Sequence, residues 1–77
     1  MKPDWQNGSY FTASDLSGKM HGLYLTTDHA ASSYGIPVFV DQETREAYGT
    51  FDMTGWQFWS FGSQEFVEKA RKAGYAV

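Results

Sequence analysis

Residues 50–77 read TFDMTGWQFWSFGSQEFVEKARKAGYAV, and this stretch decides the fold because it holds two of the three tryptophans and the best-marked helix of the chain. Ser63 stands where an N-cap would accept from the amides of the next turn. Glu65 follows near the positive end of the helix dipole, with Lys69, Arg71 and Lys72 near the negative end. Gly74 is the stop signal. Phe66, Val67, Ala70 and Ala73 recur as one apolar face, while Glu65, Glu68, Lys69 and Lys72 point to water as two i,i+4 pairs. A face of this kind needs a sheet to cover. Residues 56–61 offer an aromatic strand bounded by glycines, taken here over the alternative of a short helix capped by Thr54.

Working back from that stretch, the remaining chain reads as short strands. Residues 1–8, MKPDWQNG, form an extended arm anchored by Trp5 and closed by the Asn7-Gly8 turn signal. Residues 9–13 and 19–26 alternate apolar and polar with period two, which suits an antiparallel hairpin turning through Ser14, Asp15, Ser17 and Gly18. Leu23 and Leu25 share one face of it. Thr26, Thr27, Asp28, Ala30, Ala31 and Tyr34 then spell a short capped helix that Gly35 ends and Pro37 keeps from continuing. Residues 37–40 and 47–51 make a second hairpin around the polar loop 41–46, with Tyr48 and Phe51 set to cross from Phe39. After Gly74, Tyr75, Ala76 and Val77 add a short last strand. The expected architecture is α+β: a small, mainly antiparallel sheet of four to five short strands, one C-terminal helix packed on it, and one short helix between strands 2 and 3, all in one domain spanning 1–77.

Seventy-seven residues at net charge −3, with no cysteine, exclude disulfides, thiolate chemistry and cysteine-based metal sites. No apolar run approaches the roughly 20 residues of a membrane span, and no hydrophobic leader precedes residue 8, so a cytoplasmic location is expected. The acidic balance disfavours direct nucleic-acid binding.

Each reactive-looking set has an ordinary explanation. Asp28, His29, Ser32 and Ser33 hold the residue types of a hydrolytic triad, but within six consecutive residues they read as caps and turn formers. His21 and His29 with Asp28 offer imidazole and carboxylate to zinc without a third histidine at recognisable spacing. The ordinary reading places His21 on a strand surface and His29 in the first turn of the short helix. The loop DQETRE, residues 41–46, lacks the glycine and acidic spacing of a calcium loop, yet it concentrates negative charge that could engage a basic partner.

The run Leu25, Thr26, Thr27, Ala30, Ala31, Tyr34, Gly35 and Ile36 resembles the opening of excisionase and MerR-type helix-turn-helix domains. That resemblance implies a DNA-binding protein as an alternative reading. In size and composition the chain resembles the small anti-CRISPR-like inhibitors that phages and mobile elements direct against bacterial defence complexes. That resemblance implies a non-enzymatic protein-binding module, needing no cofactor, that covers a partner surface. The residues expected to do so are Asp41, Glu43 and Glu46 of the acidic loop with the aromatics Tyr34, Tyr48, Trp56 and Trp59. The expected partner is a protein, for instance a nucleic-acid-binding complex, and surplus aromatic surface also allows a homodimer. A small metal- or ligand-binding protein is the remaining alternative.

Overall fold

The computed structural model describes residues 8–77. The arm expected at 1–8 lies, Gly8 apart, outside the described residues. The elements run β1 (Tyr10–Ser14), β2 (Met20–Thr26), β3 (Val38–Asp41), β4 (Ala47–Tyr48), β5 (Gln57–Ser60) and α1 (Gln64–Ala73). They form an antiparallel five-stranded sheet in the order β4-β3-β2-β1-β5, with α1 beside it. The α+β architecture with a C-terminal helix is therefore present.

The period-two pattern sets the register. Phe11 pairs with Leu23 and Ala13 with His21 on β1 and β2, while Leu25 pairs with Phe39 and Phe39 with Tyr48 further along. Phe11, Ala13, Leu23, Leu25 and Phe39 thereby share one face, and Val67, Ala70, Met53 and Tyr75 close over it. Phe11 is the centre: its ring meets Phe39 edge-on at 5.0 Å and Phe58 at 6.0 Å. Burying the four large side chains among them, Phe11, Leu23, Leu25 and Phe39, at about 2 kcal/mol each is a main part of the drive for so small a sheet. Residues 56–61 do contain a strand, β5, rather than the helix weighed against it.

Three expectations about α1 and its neighbourhood need correction. Ser63 occupies the N-cap with extended backbone, φ −63° and ψ 160°, but its side chain makes no capping bond. Its carbonyl oxygen accepts from Phe66 and Val67 instead, and its own N–H donates to the Gly8 carbonyl at 2.6 Å. Glu65 and Lys69 approach to 3.7 Å, whereas Glu68 accepts from Gln64 Nε2 rather than pairing with Lys72. The tail after Gly74 is not a strand. Gly74, at φ 108°, closes the helix, and Tyr75 N–H reaches back to the Ala70 carbonyl. The buried Tyr75 then donates its hydroxyl to the carbonyls of Pro37 and Tyr48, at 2.9 and 3.3 Å, tying the helix end to the β3–β4 hairpin.

The short helix expected between β2 and β3 is not formed. Residues 27–37 are turns and bends because side chains take the backbone groups a helix would use. Thr26 Oγ1 accepts from the Asp28 amide, His29 Nδ1 accepts from Ala31, and Ser32 Oγ donates to the Ile36 carbonyl. Tyr34 and Gly35 both have positive φ, 55° and 74°, the mark of a type I′ turn closed by Ile36 N–H on the Ser33 carbonyl. These residues therefore do not form the first helix of a helix-turn-helix, and β3 occupies the chain just after them.

Candidate functional site

At the end of the sheet where β1 turns into β2 and β3 into β4, each turn is organised by its first aspartate. Asp15 Oδ1 accepts from the amides of Ser17 and Lys19, and from the Ser17 hydroxyl. Asp41 Oδ1 accepts from the amides of Glu43 and Thr44. The second oxygen of each carboxylate points to His21, which enters from β2 between them. His21 Nε2 donates to Asp15 Oδ2 and Nδ1 to Asp41 Oδ2, both at 2.8 Å.

Both ring nitrogens are thus engaged, which requires the imidazolium form. Burial alone would lower the His21 pKa, and its side chain is only 7% exposed. The hydrogen bonds and negative charges of Asp15 and Asp41 more than offset that, leaving the pKa above its ordinary 6.5. Asp15 is held well below the carboxylate range, first by its bond to His21. For Asp41, desolvation pushes upward but is outweighed by His21 and the two loop amides, so it too is lowered. Trp56 lies against the imidazole at 4.7 Å and Tyr48 meets it edge-on at 5.9 Å, walling the cluster from water. Burial, with the Glu46 acceptor at 3.2 Å, raises the Tyr48 hydroxyl.

The expected site residues therefore separate into four places. Asp41 is buried in this clamp, with Tyr48 and Trp56 packed around His21. Glu43 and Glu46 are exposed in the adjoining β3–β4 turn. Trp59 is exposed on β5, its indole N–H donating to Ser14 Oγ at 2.9 Å. Tyr34 stands at the other end of the sheet, in the β2–β3 connection, 99% exposed. His21 is buried rather than on a strand surface. His29 lies beyond the opposite end of β2, which over five residues spans roughly 16 Å. Among the described residues no three His, Asp or Glu side chains are arranged to hold a metal ion.

That opposite end carries grooves of its own. Leu25, Ile36, Pro37, Phe66 and Ala73 line a groove of about 620 Å³ between α1 and the β2–β3 connection, with Lys69 and Lys72 on its rim. A second hollow of about 250 Å³ adjoins it, where Ile36 meets Gly49 and Thr50 of the next connection. Tyr34, Ile36 and Phe51 are carried by these same two connections, and all three side chains are exposed, Phe51 to 91%.

The chain matches no protein-family model, no curated protein and no solved structure. Ile36, Phe51 and the Asp15–His21 contact are absent from the site expected from sequence. For Asp15 a signal existed: Asp15 and Asp41 each follow a strand and open a polar turn, the pattern of an aspartate that caps its own loop.

Proposed function

We propose that this chain is a small non-enzymatic protein-binding module that covers a partner's surface through the loop end of its sheet. The observation that carries the reading is Tyr34, an aromatic side chain almost wholly in solvent on a backbone with φ 55°. A bulky residue in the left-handed region costs about 1–2 kcal/mol, and such strain collects where a side chain is displayed for contact. Ile36 and Phe51 are exposed on the same two connections, and the grooves that Ile36 lines give a partner's side chains somewhere to go. The non-enzymatic part rests on the His21 cluster, whose two nitrogens are both occupied within the fold and so offer no free base. In its finer form the reading is an inhibitor of the phage or mobile-element kind acting on a bacterial defence complex, which rests on likeness of size and composition.

The test is comparative capture from a bacterial lysate, with the tagged protein and two variants read by quantitative mass spectrometry. A partner held by the parent chain is lost with Tyr34→Ala and retained with Glu43→Lys/Glu46→Lys. The reverse pattern moves the contact to the acidic turn, and a set of captured proteins unchanged by both variants removes the proposal.

A further inference from the structure

We propose that the hollow beside Trp59 binds a neutral sugar, a pyranose ring with equatorial hydroxyls that stacks on the indole. The hollow has a volume of about 510 Å³, inside the roughly 300–1,000 Å³ of small-molecule sites, and lies at the end of β1 away from Gly8. Its floor is the face of the sheet turned away from the core. Ser14 pairs there with Met20 of β2 on one side and Gln57 of β5 on the other, whereas Ala13 pairs with Phe58 on the core side. Trp59 is the residue inserted by the bulge of β5, an irregularity that re-aims a side chain. Its indole N–H donates to Ser14 Oγ, so a ring that is 56% exposed is already oriented before a ligand arrives. Leu16 and Met20, both more than half exposed, stand beside it, and Gly55, having no Cβ, lets Leu16 lie across it as one wall.

The chemistry of the lining selects the ligand. Among the described residues no lysine, arginine or histidine lines the hollow, so nothing there neutralises a phosphate or a carboxylate. Its one acid, Asp15, already accepts from Ser17 twice, from Lys19 and from His21, as many bonds as a carboxylate has lone-pair sites, and so is not open to a cation. What remains is an aromatic face, two apolar side chains, the Ser14 hydroxyl proton and the exposed Gln57 amide, which both donates and accepts. A pyranose with equatorial hydroxyls matches that set. Its axial C–H bonds form an apolar face for the electron-rich indole, and its hydroxyls exchange hydrogen bonds around the rim. A purely apolar ligand would strip water from Ser14 and Gln57 and return no hydrogen bond. One stacked ring in an open hollow binds weakly, with a dissociation constant on the order of 1 mM.

This site lies at the other end of the sheet from Tyr34 and does not rest on the protein-binding reading. It is tested by titrating isotope-labelled protein, followed by NMR, with glucose, with cellotetraose and, as an anionic counterpart, with a thymidine hexanucleotide, each to about 10 mM. The Trp59 indole and Gln57 side-chain signals move and saturate with the sugars and stay in place with the oligonucleotide. Equal constants for the two sugars assign a free monosaccharide and a lower constant for cellotetraose assigns a glucan chain; either supports the site. Trp59→Ala abolishes the shifts and Gln57→Ala raises the dissociation constant about threefold, while Tyr34→Ala leaves it unchanged. Gln57 is exposed, so its variant reports on binding even where Trp59→Ala disturbs folding. No saturable shift with either sugar, saturation by the oligonucleotide instead, or a constant unaltered in Gln57→Ala overturns the proposal.

Discussion

The indole of Trp56 covers the imidazole of His21, ring centroids 4.7 Å apart and planes inclined by 32°. An aromatic face is a favourable neighbour for a cation, and it keeps water from the two bonds His21 makes to Asp15 and Asp41. The charged cluster at this end of the sheet, with His21 and Asp41 buried and Asp15 partly exposed, therefore has its own pH response.

That response has a definite sign. His21 is raised above 6.5 in the folded chain, so its stabilisation is full below pH 6.5 and is lost as pH climbs through the raised value. Asp15 and Asp41 are lowered from 3.8, so theirs is full above pH 3.8 and is lost as pH falls through the lowered values. Urea denaturation as a function of pH is expected to show a maximum between pH 3.8 and 6.5. His21→Gln is expected to flatten the alkaline limb; an unaltered limb in that variant would place the titration elsewhere.

Neighbouring acids on the same turn differ sharply in weight. Asp41→Ala removes an acceptor from His21 and from the amides of Glu43 and Thr44, and leaves the buried imidazolium with Asp15 alone, at a cost of about 3 kcal/mol. Glu43→Lys, at an exposed position, is expected to stay within about 0.5 kcal/mol of the parent. Equal midpoints for the two variants in urea would contradict the clamp.

Two small residues, Ser9 and the Gly62 that packs on Gly8, act in opposite directions. Among the described residues the Ser9 hydroxyl is buried without a hydrogen-bond partner, so Ser9→Ala is expected to stabilise by about 1 kcal/mol. Gly62 has no such room. A Cβ there would overlap the Gly8 carbonyl oxygen and lie 2.9 Å from Phe11 Cε1, so Gly62→Ala is expected to cost about 2 kcal/mol. Thermal unfolding of both variants checks the pair.

Display and stability are opposed at Tyr34. Asparagine tolerates the left-handed backbone better than tyrosine, so Tyr34→Asn is expected to leave the protein as stable or up to about 1 kcal/mol more so. The same variant is expected to lose the captured partner. A marked loss of stability would mean that the ring is part of the packing.

What the sequence disclosed follows the range of the interactions involved. The amphipathic spacing of Phe66, Val67, Ala70 and Ala73 and the alternation through Phe11, Ala13, Leu23 and Leu25 are local, and α1, β1, β2 and β3 were legible from them. The helix expected around Ala30 and Ala31 was not formed, since Thr26, His29 and Ser32 hold backbone groups of that connection. His21 read as a surface residue because its partners stand six and twenty positions away, in two different turns, and only the register of β1, β2 and β3 brings them together. Phe51 was expected to cross from Phe39, but β4 ends at Tyr48 and leaves it exposed in a turn; Ile36 gave no signal, since an apolar residue beside a proline reads the same whether its side chain is covered or displayed.

The bond between Thr12 and Ser60 joins residues 48 positions apart, so β1 receives its second neighbour only once residues 57–60 are present. A nascent or clipped product that stops before residue 57 holds β1 against β2 alone, with Phe11 lacking Phe58 and Phe61. Completion of the fold thus waits for residues 57–61, and chains that stop short of them carry an uncovered phenylalanine and a bare strand for chaperones and proteases to find.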